Sequence, residues 1–383
     1  MNLKTIFLSR TFYFLCIFAI AQIASAATPV PAPPKLASKS FLLIDINSDT
    51  VLAQKKIDHS IEPASITKMM TAYVVYKELE AGRLSNDEMV PISEKAWRMD
   101  GSKMFVEVGS KVSVKELLRG LIIQSGNDAS VALAEHIAGS ETVFADYMNQ
   151  YAKTLGMNGT HYVNSTGWPH RKHKTTARDI AILAKALISE FPDHYELYAE
   201  KAMTYNGIKQ YNRNKLLWRD KTVDGIKTGH TDSAGYCLVA SAKRGEMRLI
   251  SVVLGTRSNK ARTDQSQKLL NYGFRFYESH PLYAAGEKLK DVRVWEGENE
   301  QLALGLMDDL TVTIPRGQYK KLEASMEIDQ TIIAPVEKGQ EMGSVHVKLN
   351  GDEIVTMPLV ALNSIDKGGL LQRARDKFLL MFE

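Results

Sequence analysis

The 383-residue chain is 44% hydrophobic and 24% charged, with 25 Gly, 12 Pro, 2 Cys and a formal charge of +4. That balance excludes collagen-like, low-complexity and wholly disordered chains, and the length suits two domains that need no disulfide staples. The charge is too small for a dedicated nucleic-acid binder, and two cysteines cannot build a zinc site without several histidines.

Residues 1–26 read as a secretory signal. Lys4 and Arg10 precede an apolar run from Phe12 to Ile23, and Ala24-Ser25-Ala26 offers small residues to a signal peptidase. The run of about a dozen residues is too short to cross a hydrocarbon core roughly 30 Å thick. Cleavage would remove Cys16, leaving Cys237 as a buried strand residue and no internal disulfide in an oxidising compartment. Residues 27–37 are a Pro-rich, extended tether that fits neither helix nor central strand.

Phe41 to Asp45 and Val51 to Ala53 flank a polar turn and predict a hairpin. Helical periodicity dominates from about Ala64 to Ser189. Tyr236 to Ala240 and Arg248 to Val253 predict a second hairpin, and residues 262–278 turn helical again. A helical middle bracketed by hairpins points to one α+β domain over 38–281 with an antiparallel sheet. From Leu282 to Asp366 short strands prevail, with Asn350-Gly351 marking a hairpin, so 282–366 reads as a small all-β domain. Residues 367–383 form an amphipathic helix. Leu371, Ala374, Phe378 and Phe382 share a stripe, Arg373, Asp376 and Lys377 lie away from it, and Gly368-Gly369 loosens the link. Such a helix suits a membrane interface.

Three elements carry chemistry. Ser65, after Pro63, sits near a helix N-terminus, where unpaired N–H groups and the dipole stabilise an alkoxide or oxyanion. Lys68 projects one turn later and can take the serine proton if its pKa is lowered, as a second nearby cation would do. Ser-x-x-Lys alone is weak, since Ser364 and Lys367 repeat it in what reads as surface linker. Ser125-Gly126-Asn127 lies on a turn between two helices, where serine can relay a proton and the amide can grip a carbonyl. Lys227-Thr228-Gly229 ends an extended run; its glycine lets a substrate backbone approach, while lysine and threonine hold a carboxylate.

The three elements, in this order, resemble the set shared by penicillin-binding proteins and class A β-lactamases. The middle Ser125-Gly126-Asn127, together with Asn214 to Trp218, Val223 to Thr231, Ala234 to Tyr236 and Lys268 to Phe274, is similar to the low-molecular-mass D-alanyl-D-alanine carboxypeptidases. The resemblance implies a transpeptidase-like α+β domain, an antiparallel sheet with helices on both sides, then a small all-β domain and the amphipathic helix. It implies Ser65 as nucleophile, Lys68 as general base and Ser125 with Lys227 as proton relay. Asn127 would hold the substrate amide, the N–H groups of Ser65 and His230 the oxyanion, and Thr228, Lys227 and Arg262 the terminal carboxylate. Lys227 would also be the cation that lowers the Lys68 pKa. The implied partners are stem peptides of peptidoglycan ending in D-Ala-D-Ala, β-lactams, and the outer face of the inner membrane in a periplasm. No cofactor, metal or nucleic acid is called for.

A class A β-lactamase is disfavoured because no Glu-x-x-Leu-Asn pattern occurs. A cross-link endopeptidase and a decayed, non-catalytic wall-binding scaffold are the other readings. His161, His170, His173 and His194 lie among Lys and Arg residues, which favours a solvated basic loop over a metal site.

Overall fold

The computed structural model describes residues 30–329 and 331–382, so the signal-like stretch 1–26 lies outside the described residues. In the first region the chain runs β1 (Ser40–Asp45), β2 (Thr50–Lys55), α1 (Lys68–Glu80), α2 (Val114–Arg119), α3 (Asn127–Ala138), α4 (Glu141–Thr154), α5 (Ala177–Glu190), β3 (Val223–Thr231), β4 (Gly235–Arg244), β5 (Met247–Thr256) and α6 (Asn259–Phe276). Polar caps start α2, α4, α5 and α6. The hydroxyls of Ser113, Ser140, Thr176 and Ser258 each accept an N–H from the first turn.

The five strands form an antiparallel sheet in the order β2-β1-β5-β4-β3. Alternation along each strand divides two cores. Leu42, Cys237, Val239, Ile250 and Val252 face the helical middle, α1 to α5. Leu43, Leu238, Ala240, Leu249 and Val253 pack instead on Leu269 and Leu270 of α6. Each of those buried leucines contributes roughly 1.5–3 kcal/mol. Helices therefore cover both sides of the sheet. The Pro-rich segment is extended from Val30, yet it is not free of the domain: Tyr272 donates its hydroxyl proton to Pro31 O at 3.0 Å, and Leu36 is buried.

The second region begins earlier than the expected Leu282. Strand β6 (Tyr277–Tyr283) follows α6 directly and pairs with β9 (Leu310–Pro315). Alternation there is blurred because all its residues but exposed Pro281 are half-buried. Strands β7 (Lys290–Trp295), β8 (Gln301–Gly305), β10 (Leu322–Ile328), β11 (Ile332–Ile333), β12 (Glu341–Leu349) and β13 (Asp352–Ala361) make a six-stranded sheet in the order β10-β12-β13-β8-β7-β11. It encloses its own core of Val294, Leu302, Leu304, Val345, Val347 and Leu359. A polar seam joins the regions: buried Asp45 accepts from Thr313 Oγ1 at 2.8 Å and from the Ser279 hydroxyl, and Arg316 Nη2 donates to Phe274 O at 2.9 Å.

Helix α7 (Leu370–Leu379) ends the chain. Asp376, placed by the sequence away from the apolar stripe, is the docking residue. It is 1% exposed and accepts the Glu296 N–H at 2.8 Å. Gly368 does not loosen the link either, since its N–H donates to Glu296 O at 2.8 Å. With the polar face docked, Leu371 stays 89% exposed, and Leu370, Phe378, Met381 and Phe382 are exposed beside it.

Candidate active site

Ser65 lies in a 3₁₀ turn, Ala64–Thr67, that leads into α1. Ala64 holds φ at +49°, a left-handed conformation that costs a non-glycine residue about 1–3 kcal/mol. The neighbours explain why it persists. Gly229 of β3 presses on the turn so closely that a Cβ there would stand 3.1 Å from Pro63 O and 3.2 Å from Ile66 N. The sequence reading gave that space to a substrate backbone; the nucleophile turn fills it.

From α2 the chain enters a π-helical turn, Gly120–Gln124, and Ser125 reverses it at φ +67° before α3. Asp128, fully buried, accepts the N–H groups of Met104 at 3.0 Å and Phe105 at 2.8 Å, which fixes the opposing loop against α3. Asn127 donates to Asp100 O at 2.6 Å, so its Oδ1 points to Lys68. From β3, Lys227 donates to Ser125 Oγ at 2.8 Å.

Lys68 is the hub. Its Nζ stands 2.7 Å from Asn127 Oδ1, 2.6 Å from Thr166 O and 3.2 Å from Ser65 Oγ. A neutral amine has two N–H donors and one lone pair. The two stronger acceptors take the donors, which leaves the lone pair for the Ser65 proton. Burial, and after it the Arg213 charge, bring the Lys68 pKa down to about 7. The sequence reading gave that role to Lys227. Lys227 is itself pushed well below the usual lysine value, by burial first, then by Lys68, Arg213 and Arg262.

The basic loop 161–175 forms the third wall. Ser165 O accepts from Thr71 at 2.6 Å and Ser130 at 2.8 Å, tying the loop to α1 and α3. His173 is buried, and its Nδ1 accepts the Val163 N–H at 3.3 Å. Its Nε2 therefore donates to Thr67 Oγ1 at 2.8 Å. Burial, with His161 and His170, lowers its pKa to about 4, so the ring is neutral near pH 7. His194 instead stacks on Tyr76, 4.7 Å between ring centres. Among the described residues no group of three or more His, Cys, Asp or Glu forms a metal cluster.

These walls enclose a cleft of about 710 Å³ lined by Ser65, Ser125, Arg213, Thr228, His230 and Arg262, among others. Ser65, Lys68, Ser125, Asn127, Lys227, Thr228, Gly229, His230 and Arg262 thus stand at one place, whereas His194 does not. Arg262 is partly committed: its Nη1 donates to Gly229 O at 2.9 Å and Cys237 O at 3.2 Å, holding the ends of β3 and β4. The His230 ring lies 3.9 Å from that of Tyr236. Sequence reasoning missed Arg213, the Thr166 carbonyl and the clamp at Asp128. Arg213 directly precedes the family-like Asn214 to Trp218, a signal that could have found it.

The D-alanyl-D-alanine carboxypeptidase (peptidase S11) family model matches residues 26–258, and the model for the C-terminal domain of penicillin-binding protein 5 matches residues 277–367. The chain is 42% identical over 363 residues to D-alanyl-D-alanine carboxypeptidase DacA of Escherichia coli (strain K12), across 93% of this chain and 90% of the relative. It is 41% identical over 374 residues to DacC of the same strain, across 96% and 94%. The crystal structure of penicillin-binding protein 5 from Haemophilus influenzae superposes with a TM-score of 0.85 at 41% identity, covering 88% of this chain and 100% of the other. The chain belongs to the peptidase S11 family of D-alanyl-D-alanine carboxypeptidases.

Proposed function

We propose that this protein removes the terminal D-alanine of peptidoglycan stem peptides through an acyl-enzyme on Ser65. The observation that carries the reading is the Lys68 amine, buried and depressed to about pKa 7, with two donors engaged and Ser65 Oγ at 3.2 Å. Lys68 takes the Ser65 proton as Oγ attacks the carbonyl between the two D-alanines. The tetrahedral oxyanion is held by the N–H groups of Ser65, in the first turn, and His230, on the edge strand β3. As the C–N bond breaks, Ser125 and Lys227 pass the proton taken up by Lys68 to the leaving amine. Thr228 and Arg262 hold the terminal carboxylate and Arg213 adds positive charge to that wall, while Asn127, fixed between Lys68 and Asp100, supports the substrate amide with its remaining N–H. Water then releases the shortened peptide. A β-lactam acylates Ser65 in the same way and leaves slowly.

We further propose export by the 1–26 signal and a periplasmic site on the outer face of the inner membrane. Support comes from the exposed apolar face of α7, whose polar face is occupied by the β region. Among the described residues no helix is long and apolar enough to cross a membrane.

Ser65→Ala tests the nucleophile. The variant should keep the parent melting temperature and lose all covalent labelling by a fluorescent penicillin. Labelling that persists at another residue refutes the assignment.

A further inference from the structure

The basic loop that contributes Thr166 O to the cleft carries charges the reaction does not use. Ile61 and Thr175 exchange backbone hydrogen bonds of 2.9 Å in both directions, seating the loop against the segment that leads into Ser65. Between loop and segment lies a second cavity of about 360 Å³, walled by Lys39, His59, Arg171 and Lys174, with Glu62 and Ser233. Lys39 Nζ donates to Ser233 O at 3.2 Å, on the turn between β3 and β4, and the residues that flank this turn, His230 and Tyr236, line the catalytic cleft.

The charges here are unbalanced. Glu62 accepts from the Ser233 hydroxyl, and Asp58 is paired with Arg178 at 2.7 Å. Among the described residues no carboxylate lies within 4.0 Å of Lys39, Arg171 or Lys174. The adjoining cavity shares His59 and adds Lys55 and Lys56. Lys55 donates to the carbonyls of Leu36 and Ser38, so its charge is also uncompensated. Asp232, exposed on the β3–β4 turn, is the remaining acid nearby. Several cations around one concavity repel each other and focus an attractive field on an incoming anion.

We propose that this pocket is an anion subsite, and that it holds a free carboxylate of the peptidoglycan strand outside the scissile D-Ala-D-Ala. The inference rests on the reading of the cleft as a peptidoglycan carboxypeptidase. Stem peptides bear carboxylates along their length, and a pocket on the turn whose flanking strands line the cleft can grip one while the terminus reaches Ser65. Its concavity suits a peptide branch better than a flat lipid surface.

The test uses the full mature chain with Ser65→Ala, to prevent turnover, and the same chain with Lys39→Gln, Arg171→Gln and Lys174→Gln added. Binding to purified sacculi should be weaker in the charge variant by about tenfold at low salt, a difference that closes at high salt. Amidating the carboxylates of the sacculi should weaken the parent to a similar degree, a result independent of any variant's folding. With Ser65 restored, the charge variant should react with penicillin at the parent rate, which separates failure of the subsite from failure of the catalytic reading. Equal binding by both chains overturns the proposal, and so does undiminished binding to amidated sacculi. Loss of parent binding only after removal of phosphate polymers, or a charge-variant defect confined to phosphatidylglycerol vesicles, also overturns it.

Discussion

At the scale of the residue, the proposed chemistry turns on one buried amine. Lys68 acts as a base only when neutral, and its pKa of about 7 makes that form available near neutrality. The second-order rate of acylation by benzylpenicillin should therefore fall about tenfold per pH unit below pH 7 and level off above it. A rate flat between pH 5 and 7 would contradict this. Lys68→Ala should slow acylation by about 100-fold or more above pH 7, with the gap narrowing as the pH falls and the parent lysine is protonated. The shift also bears on stability. A lysine with a lowered folded pKa binds its proton less readily than the unfolded chain does. Its penalty is fully present below about pH 7 and is relieved as pH rises toward the ordinary value of 10.5. At this scale the meeting of Ser65, Lys68 and Lys227 was legible because residue type and spacing point to one chemistry. Thr166 was not, because it acts through a carbonyl that every residue possesses, and Arg213 was not, because only the fold brings it beside Lys68.

At the scale of the element, the site is a meeting of two turns, one strand and one loop. Gly167 shows how tightly they meet. Its φ is +82°, and a Cβ there would stand 1.8 Å from Ala64 O and 2.9 Å from Thr67 Oγ1. Neither neighbour can yield easily, since Ala64 is already left-handed and Thr67 is bound to His173. Gly167→Ala should destabilise the protein by roughly 2–4 kcal/mol and slow acylation by pushing the loop off Lys68. Calorimetry and penicillin kinetics check both effects; parent values would show that the loop adapts. Hairpins and helices were legible from alternation and caps. The loop's role was not, because it depends on contacts between residues 161–175 and the start of α1 that leave no periodic trace.

At the scale of the molecule, two regions and a terminal helix divide the work. The change to short strands was visible in the sequence, though its start at Tyr277 was hidden by half-buried residues that break the alternation. The apolar stripe of α7 was legible, but its docking through Asp376 was not, since a lone acid on a polar face carries no sign of burial. Because that docking turns the stripe outward, deleting residues 369–383 should move the protein from the membrane pellet to the supernatant without reducing penicillin binding. Unchanged sedimentation would sink the membrane role.

The bond that is cut separates a carboxypeptidase from a cross-link endopeptidase. Purified muropeptides, incubated with the enzyme and resolved by mass spectrometry, report it directly. Pentapeptide stems losing one D-alanine while cross-linked dimers persist is the predicted result; dimers converted to monomers with pentapeptides left intact would contradict it.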